Sequence, residues 1–219
     1  MPLSGLASLK LALFTLGLMP GAYLLWQVNS GLLANPVEYI QRFSGTWTFN
    51  FLLLTLLVTP LRHLTEWHWL IRIRRMLGLF CFAYATVHAL AFFGLDHEFD
   101  PHSVILDILK RPFITVGFVA FLLLVPLAAT SNQWAIRHLG GRRWQELHRG
   151  VYAIAILATV HYFWLVKASA LVWPMLYGIL VVILLGWRAQ KWWQKANAFR
   201  PRMAGAPIKF FPKPPQQGD

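Results

Sequence analysis

The residues best suited to chemistry are histidines inside apolar sequence. The stretch Arg142–Trp164, RRWQELHRGVYAIAILATVHYFW, carries His148 where it turns apolar and His161 thirteen residues further on. A titratable ring inside a bilayer is costly unless it has a partner, so such a residue points to function. Imidazole is the commonest protein ligand to metals and a standard axial ligand to haem iron. The stretch therefore reads as one wall of a haem site. The chain has 8 histidines, and besides His161 only His88 lies deep within an apolar run. His63, His68 and His138 fall in loops, and so do His97 and His102 in DHEFDPH, which lacks metal-ligand spacing and reads as a solvated acidic loop.

The elements that must position these rings follow from composition. The 219 residues are 57% hydrophobic and 13% charged, and the mean hydropathy is +0.51. That excludes an ordinary soluble domain and predicts an all-α, polytopic membrane protein. Six spans are expected: Leu9–Val28, Thr46–Leu61, Arg75–Gly94, Phe113–Thr130, Val151–Val166 with an amphipathic lead from Trp144, and Ala170–Trp187. They form one six-helix domain over residues 1–190, and residues 191–219 form a basic, proline-rich cytoplasmic tail. The first span reads as an uncleaved anchor. Within it, Gly17, Pro20 and Gly21 suggest close packing or a kink. Pro126 marks a second kink. Cys81, the single cysteine, sits in an apolar run, where it acts as a small buried hydrophobe.

The net charge of +12 would suit nucleic acid on a soluble protein; here loop charges explain it, and no nucleic-acid partner is expected. With both termini cytoplasmic, Arg62, Arg72, Arg74, Arg75, Arg142, Arg143 and Arg188 fall inside, and only Arg42, Lys110, Arg111 and Lys167 fall outside.

Depth pairs the histidines. His88 lies thirteen residues past Arg75, and His161 thirteen past His148. At helical rise both sit about 20 Å from the cytoplasmic end, level in the outer half of the bilayer. Two level histidines on two helices can clamp one haem iron; the plainer alternative is a hydrogen-bonded pair without metal. His148 has no such partner, because the level positions on helix three are Arg74 and Arg75. On a straight helix His148 and His161 would also face about 140° apart. His148 and the arginines could hold a flavin phosphate, a quinone oxygen or a weakly bound haem. Arg74, Arg75, Arg142 and Arg143 could equally serve only as topology anchors.

The segments LIRIRRMLGLFCFAYATVHAL (Leu70–Leu90), RPFITVG (Arg111–Gly117) and Arg142–Trp164 together resemble the MsrQ (formerly YedZ) family. These are haem-binding membrane subunits of the bacterial MsrPQ protein-methionine-sulfoxide reductase system, in the ferric-reductase-like transmembrane group. The resemblance implies heme b and FMN as cofactors, with His88, His148 and His161 as the haem-associated residues. It implies a multi-pass protein of the bacterial cell inner membrane, surrounded by lipid. It also implies a periplasmic molybdopterin partner, MsrP, on which the sulfoxide chemistry takes place. There is no G-x-G-x-x-G and no soluble region to hold a nucleotide domain, so electrons must come from the quinone pool or a cytosolic flavin reductase. Two other classes fit the residues less well: a free-standing cytochrome b-type ferric or quinone reductase, and a transporter using a histidine relay.

Overall fold

The computed structural model describes residues 3–167 and 170–198. Among these the chain is helical and has no strand. The helices are α1 (Leu3–Asn29), α2 (Pro36–Thr65), α3 (Ile71–Leu90), α4 (Pro101–Lys110), α5 (Pro112–Ala129), α6 (Gln133–Leu139), α7 (Gly141–His148), α8 (Val151–Leu165) and α9 (Val172–Ala198). Helices α1, α2, α3, α5 and α9 are long and apolar enough to cross a membrane. Helix α8, of 15 residues, occupies the remaining expected span. Large apolar side chains such as Leu11, Trp26, Ile156 and Val182 stand exposed on the outside of the bundle. In water they would be a liability, and in lipid they are the solvated surface. The protein is a multi-pass membrane protein.

Two antiparallel pairs build the frame. Helix α2 lies along α3 and α5 lies along α8; α3 meets α5, and α9 closes against α2 and α8. Leu56 and Ala155 are fully buried where the pairs meet, with Leu52, Phe80, Cys81 and Ile154 around them. Cys81 is free and buried, as its apolar run implies.

The small residues of α1 do pack closely. Phe80 of α3 lies over Gly17, where a Cβ would come within 2.5 Å of its ring. Pro20 disturbs the helical ladder of α1, and the Tyr84 hydroxyl fills the gap. It donates to the Gly17 carbonyl at 2.9 Å and accepts from the Gly21 amide at 2.8 Å. Tyr84 thereby ties α1 to α3 one turn before His88.

Several expected boundaries shift. Helix α2 does not stop at Pro60 but continues to Thr65. Proline cannot donate to the Leu56 carbonyl one turn earlier. The Arg188 guanidinium of α9 donates to that carbonyl instead, so the helix passes through the proline without an orphaned acceptor. The expected continuous helix from Trp144 to Trp164 is two helices. The chain tightens at Arg149–Gly150, where the Gly150 amide bonds to the Leu147 carbonyl at 3.0 Å, and α8 starts at Val151. Helix α9 runs on to Ala198, beyond the expected domain edge at residue 190. The rest of the expected tail, 199–219, lies outside the described residues.

The loop after α3 is more ordered than an acidic, solvated segment suggests. Asp100 caps α4 by accepting from the His102 and Ser103 amides, and these donors hold its carboxyl below the usual carboxylate range. His97 packs against Ser103 and Asp107, and Asp107 pairs with Arg111 at 2.8 Å. Among the described residues no group of three or more His, Cys, Asp or Glu could hold a metal ion.

Candidate functional site

His88 and His161 meet inside the bundle, one from each helix pair. Their ring centroids lie 6.2 Å apart and their planes cross at 79°. Both rings are largely sheltered by neighbouring helices. His88 Nδ1 lies 3.0 Å from the Gln41 carbonyl of α2, and His161 Nδ1 lies 2.7 Å from the Phe113 carbonyl of α5. A carbonyl only accepts, so in both rings Nδ1 bears the proton and Nε2 keeps its lone pair. An imidazole fixed in this way is the usual arrangement of a metal ligand, with the second nitrogen setting tautomer and orientation.

The spacing fits an axial pair. A metal–imidazole bond of about 2.0 Å on each side, plus roughly 1 Å from each ring centre to its Nε2, requires centres about 6 Å apart. Two hydrogen-bonded histidines would need one Nε2 to donate to the other, and no such bond joins these rings. The donor set is two neutral imidazole nitrogens in an apolar surround, which suits haem iron.

Local structure explains why both rings arrive at one level. His88 lies in the last turn of α3, and the residues that follow that helix, Ala91–Asp96, form a wider π-helical turn. Such widened turns gather at functional sites. The Gln41 side chain donates to Asp96 at the end of this turn, so Gln41 holds both His88 and the segment behind it. On the other pair, Pro112 sits in the first turn of α5, where its missing N–H costs nothing, and Phe113 follows.

His148 lies elsewhere. It ends α7 at the basic end of the bundle, stacked on Trp144 with centroids 4.0 Å apart. Its Nε2 lies 3.1 Å from Thr130 Oγ1. That hydroxyl donates to the Pro126 carbonyl at 2.6 Å, so it accepts from His148, whose Nε2 then carries the proton. The Trp144 indole donates to the Thr130 carbonyl at 2.9 Å, which locks the stack. Partial burial, and then the nearby Arg74 guanidinium, push the His148 pKa below its ordinary value. His63 and His138, expected in loops, lie instead in the last turns of α2 and α6, where His63 packs on Trp187 and His138 on Trp134, so both are engaged elsewhere. Because α7 and α8 are separate helices, the straight-helix angle between His148 and His161 does not apply.

Arg74 and Arg75 both lie in the first turns of α3, with different surroundings. Arg74 is half-buried and acts on both His148 and Arg188, whereas Arg75 is exposed. Arg188 itself reaches inward, donating to its own Leu184 carbonyl at 2.6 Å and lying 5.6 Å over the Tyr152 ring.

Sequence reasoning missed the residues behind the rings. Gly45 of α2 sits against His88, and Gly117 of α5 against His161. The readable signal was the shared spacing: Gln41–Gly45 and Phe113–Gly117 are each one helical turn apart.

The chain is similar to known membrane proteins over most of its length. Residues 44–159 match the family described as ferric reductase like transmembrane component. A protein of Azospira oryzae named protein-methionine-sulfoxide reductase heme-binding subunit MsrQ is 56% identical over 186 residues, covering 84% of this chain and 79% of its own. A like-named protein of Bordetella pertussis is 52% identical, covering 88% and 94%. One of Ralstonia nicotianae is 45% identical over 211 residues, covering 95% and 96%. No solved structure shows a significant match.

Proposed function

The chain belongs to the MsrQ family, within the ferric-reductase-like transmembrane group, and we propose that it carries electrons outward through a haem b held between His88 and His161. The observation that carries this reading is the pair of rings 6.2 Å apart, each with Nδ1 bonded to a helix carbonyl. The haem, when bound, supplies a one-electron carrier. The chain's own part is to present two lone pairs, exclude water with α2, α3, α5 and α8, and hold both rings still. The positive-inside pattern supports the following orientation. The end with Arg74, Arg75 and Arg142 faces the cytoplasm, and the His88–His161 end faces the periplasm across the inner membrane.

Electrons are taken from quinol or a cytosolic flavin reductase and passed to a periplasmic molybdopterin reductase, MsrP, which reduces methionine sulfoxide in oxidised envelope proteins. On the cytoplasmic side, His148, Arg74 and Arg75 line the path by which electrons arrive. An anionic flavin such as FMN would find guanidinium donors at Arg74 and Arg75. His148 Nε2 is bonded to Thr130 and its ring is stacked on Trp144, so the chain holds one haem strongly.

Reconstitution tests this reading. Purified chain in liposomes, given a quinol or a flavin reductase with NADPH, should show a haem Soret band that shifts on reduction. It should reoxidise when MsrP and a sulfoxide substrate are added outside. A chain that binds no haem, or whose reduced haem ignores MsrP, would overturn the proposal.

A further inference from the structure

The two halves of the site share a device that the ligand assignment does not explain. His88 Nδ1 bonds to the carbonyl of Gln41, and Gly45 stands four residues later; His161 Nδ1 bonds to the carbonyl of Phe113, and Gly117 stands four residues later. In an α-helix the carbonyl of one residue accepts from the amide four residues on. Each imidazole therefore shares a carbonyl already engaged by a glycine amide. The Cα–Cβ bond in a helix tilts toward the N-terminus, so a side chain at that fourth residue hangs over this carbonyl. Glycine at that position leaves the carbonyl open to an imidazole approaching from another helix.

The space confirms the need. A Cβ on Gly117 would stand 2.7 Å from His161 Nδ1 and 2.8 Å from its Cε1. A Cβ on Gly45 would stand 3.2 Å from both His88 Nδ1 and Cε1. The first distance is a clash and the second a tight contact. By contrast, a Cβ on Gly186 meets nothing within 4 Å, and one on Gly78 meets only Thr55 at 3.9 Å.

We propose that Gly45 and Gly117 are positioning residues, each uncovering the helix carbonyl on which one axial imidazole is fixed. They set the crossed planes of the two rings and, through the Nδ1–H bond, the electron donation of each ligand to iron. The proposal rests on His88 and His161 being axial ligands of one haem. A lengthened or bent Nδ1–H···O=C bond makes the imidazole less basic, and a less basic ligand favours the ferrous state.

The test uses full-length protein purified with its haem. Gly117→Ala should raise the haem midpoint potential and change the low-spin EPR signal, because its ring must move. Gly45→Ala should shift both in the same direction by less, with haem content kept. Gly186→Ala should leave both unchanged. Alanine is intrinsically favoured over glycine in a helix, so helix weakening cannot produce the shift. Wild-type potential and EPR in Gly117→Ala would overturn the proposal. If that variant does not fold, Gly45→Ala decides alone, and a wild-type signal there would overturn it. An equal shift in Gly186→Ala would also overturn it. Full haem retention in His88→Ala or His161→Ala would instead remove the ligand assignment beneath it.

Discussion

The rings of His88 and His161 face each other at 6.2 Å with their planes 79° apart, and each is pinned through Nδ1 to a backbone carbonyl of a different helix. Nearly crossed planes are a spectroscopic statement as well as a geometric one. Axial imidazoles held perpendicular on a low-spin haem give a strongly anisotropic EPR signal, whereas parallel rings give a more rhombic one. The native protein should show the former, and a rhombic spectrum would mean that haem binding turns a ring.

Arg74 and Arg75 separate by burial. Arg74 is half-buried beside His148 and Arg188, and Arg75 is exposed. Replacing both by Gln should lower FMN content or slow electron input while the outer haem stays. Arg74→Gln alone should account for most of that loss. Unchanged flavin content and input rate in the double variant would leave the two arginines as topology anchors only.

Pairing by depth was legible in the sequence because His88 and His161 stand at equal spacing from Arg75 and His148, and helical rise depends little on local detail. The apolar runs of α1, α2, α3, α5 and α9 were legible because each is long enough to cross a membrane, whereas α8 has only 15 residues. The helix break at Arg149–Gly150 was not legible, since nothing local marks it except one glycine beside an arginine. The persistence of α2 past Pro60 was not legible either. It depends on Arg188, which lies 132 residues away in sequence from the Leu56 carbonyl it serves. The carbonyls of Gln41 and Phe113 were invisible because backbone acceptors carry no residue signature.

That long-range bond predicts its own phenotype. Arg188→Met removes the donor to the Leu56 carbonyl and leaves it without a partner beside Pro60. An unsatisfied buried acceptor costs about 1–3 kcal/mol. Thermal unfolding in detergent should fall by several degrees, at roughly 2–4 °C per kcal/mol for a chain of this size. Arg188→Lys should recover part of the loss. An unchanged midpoint would show that the carbonyl finds another donor.

Tyr84→Phe tests the α1–α3 connection in the same way. It deletes the hydroxyl between the Gly17 carbonyl and the Gly21 amide, and it keeps the ring that stacks on Phe51 at 5.3 Å. The expected loss is again about 1–3 kcal/mol, with haem content unchanged because α1 contributes no ligand. Faster amide exchange confined to α1 around Pro20 would locate the effect. Exchange unchanged in α1 would contradict the bridging role.

His148→Ala should keep the main haem and slow reduction from the cytoplasmic side. The ring is bonded to Thr130, stacked on Trp144, and apart from the His88–His161 pair. Stopped-flow reduction by the flavin reductase, read at the Soret band, measures the rate. Loss of the whole band would make His148 a principal ligand.

The haem-to-protein ratio of His88→Ala and His161→Ala, measured with the low-spin EPR signal on purified protein, tests the central claim most directly. If these two residues are the axial ligands of one iron, each substitution alone should remove most of the haem, and any remainder should lose the low-spin signal. If either variant keeps the wild-type ratio and the wild-type spectrum, the two histidines do not share an iron and the account is wrong.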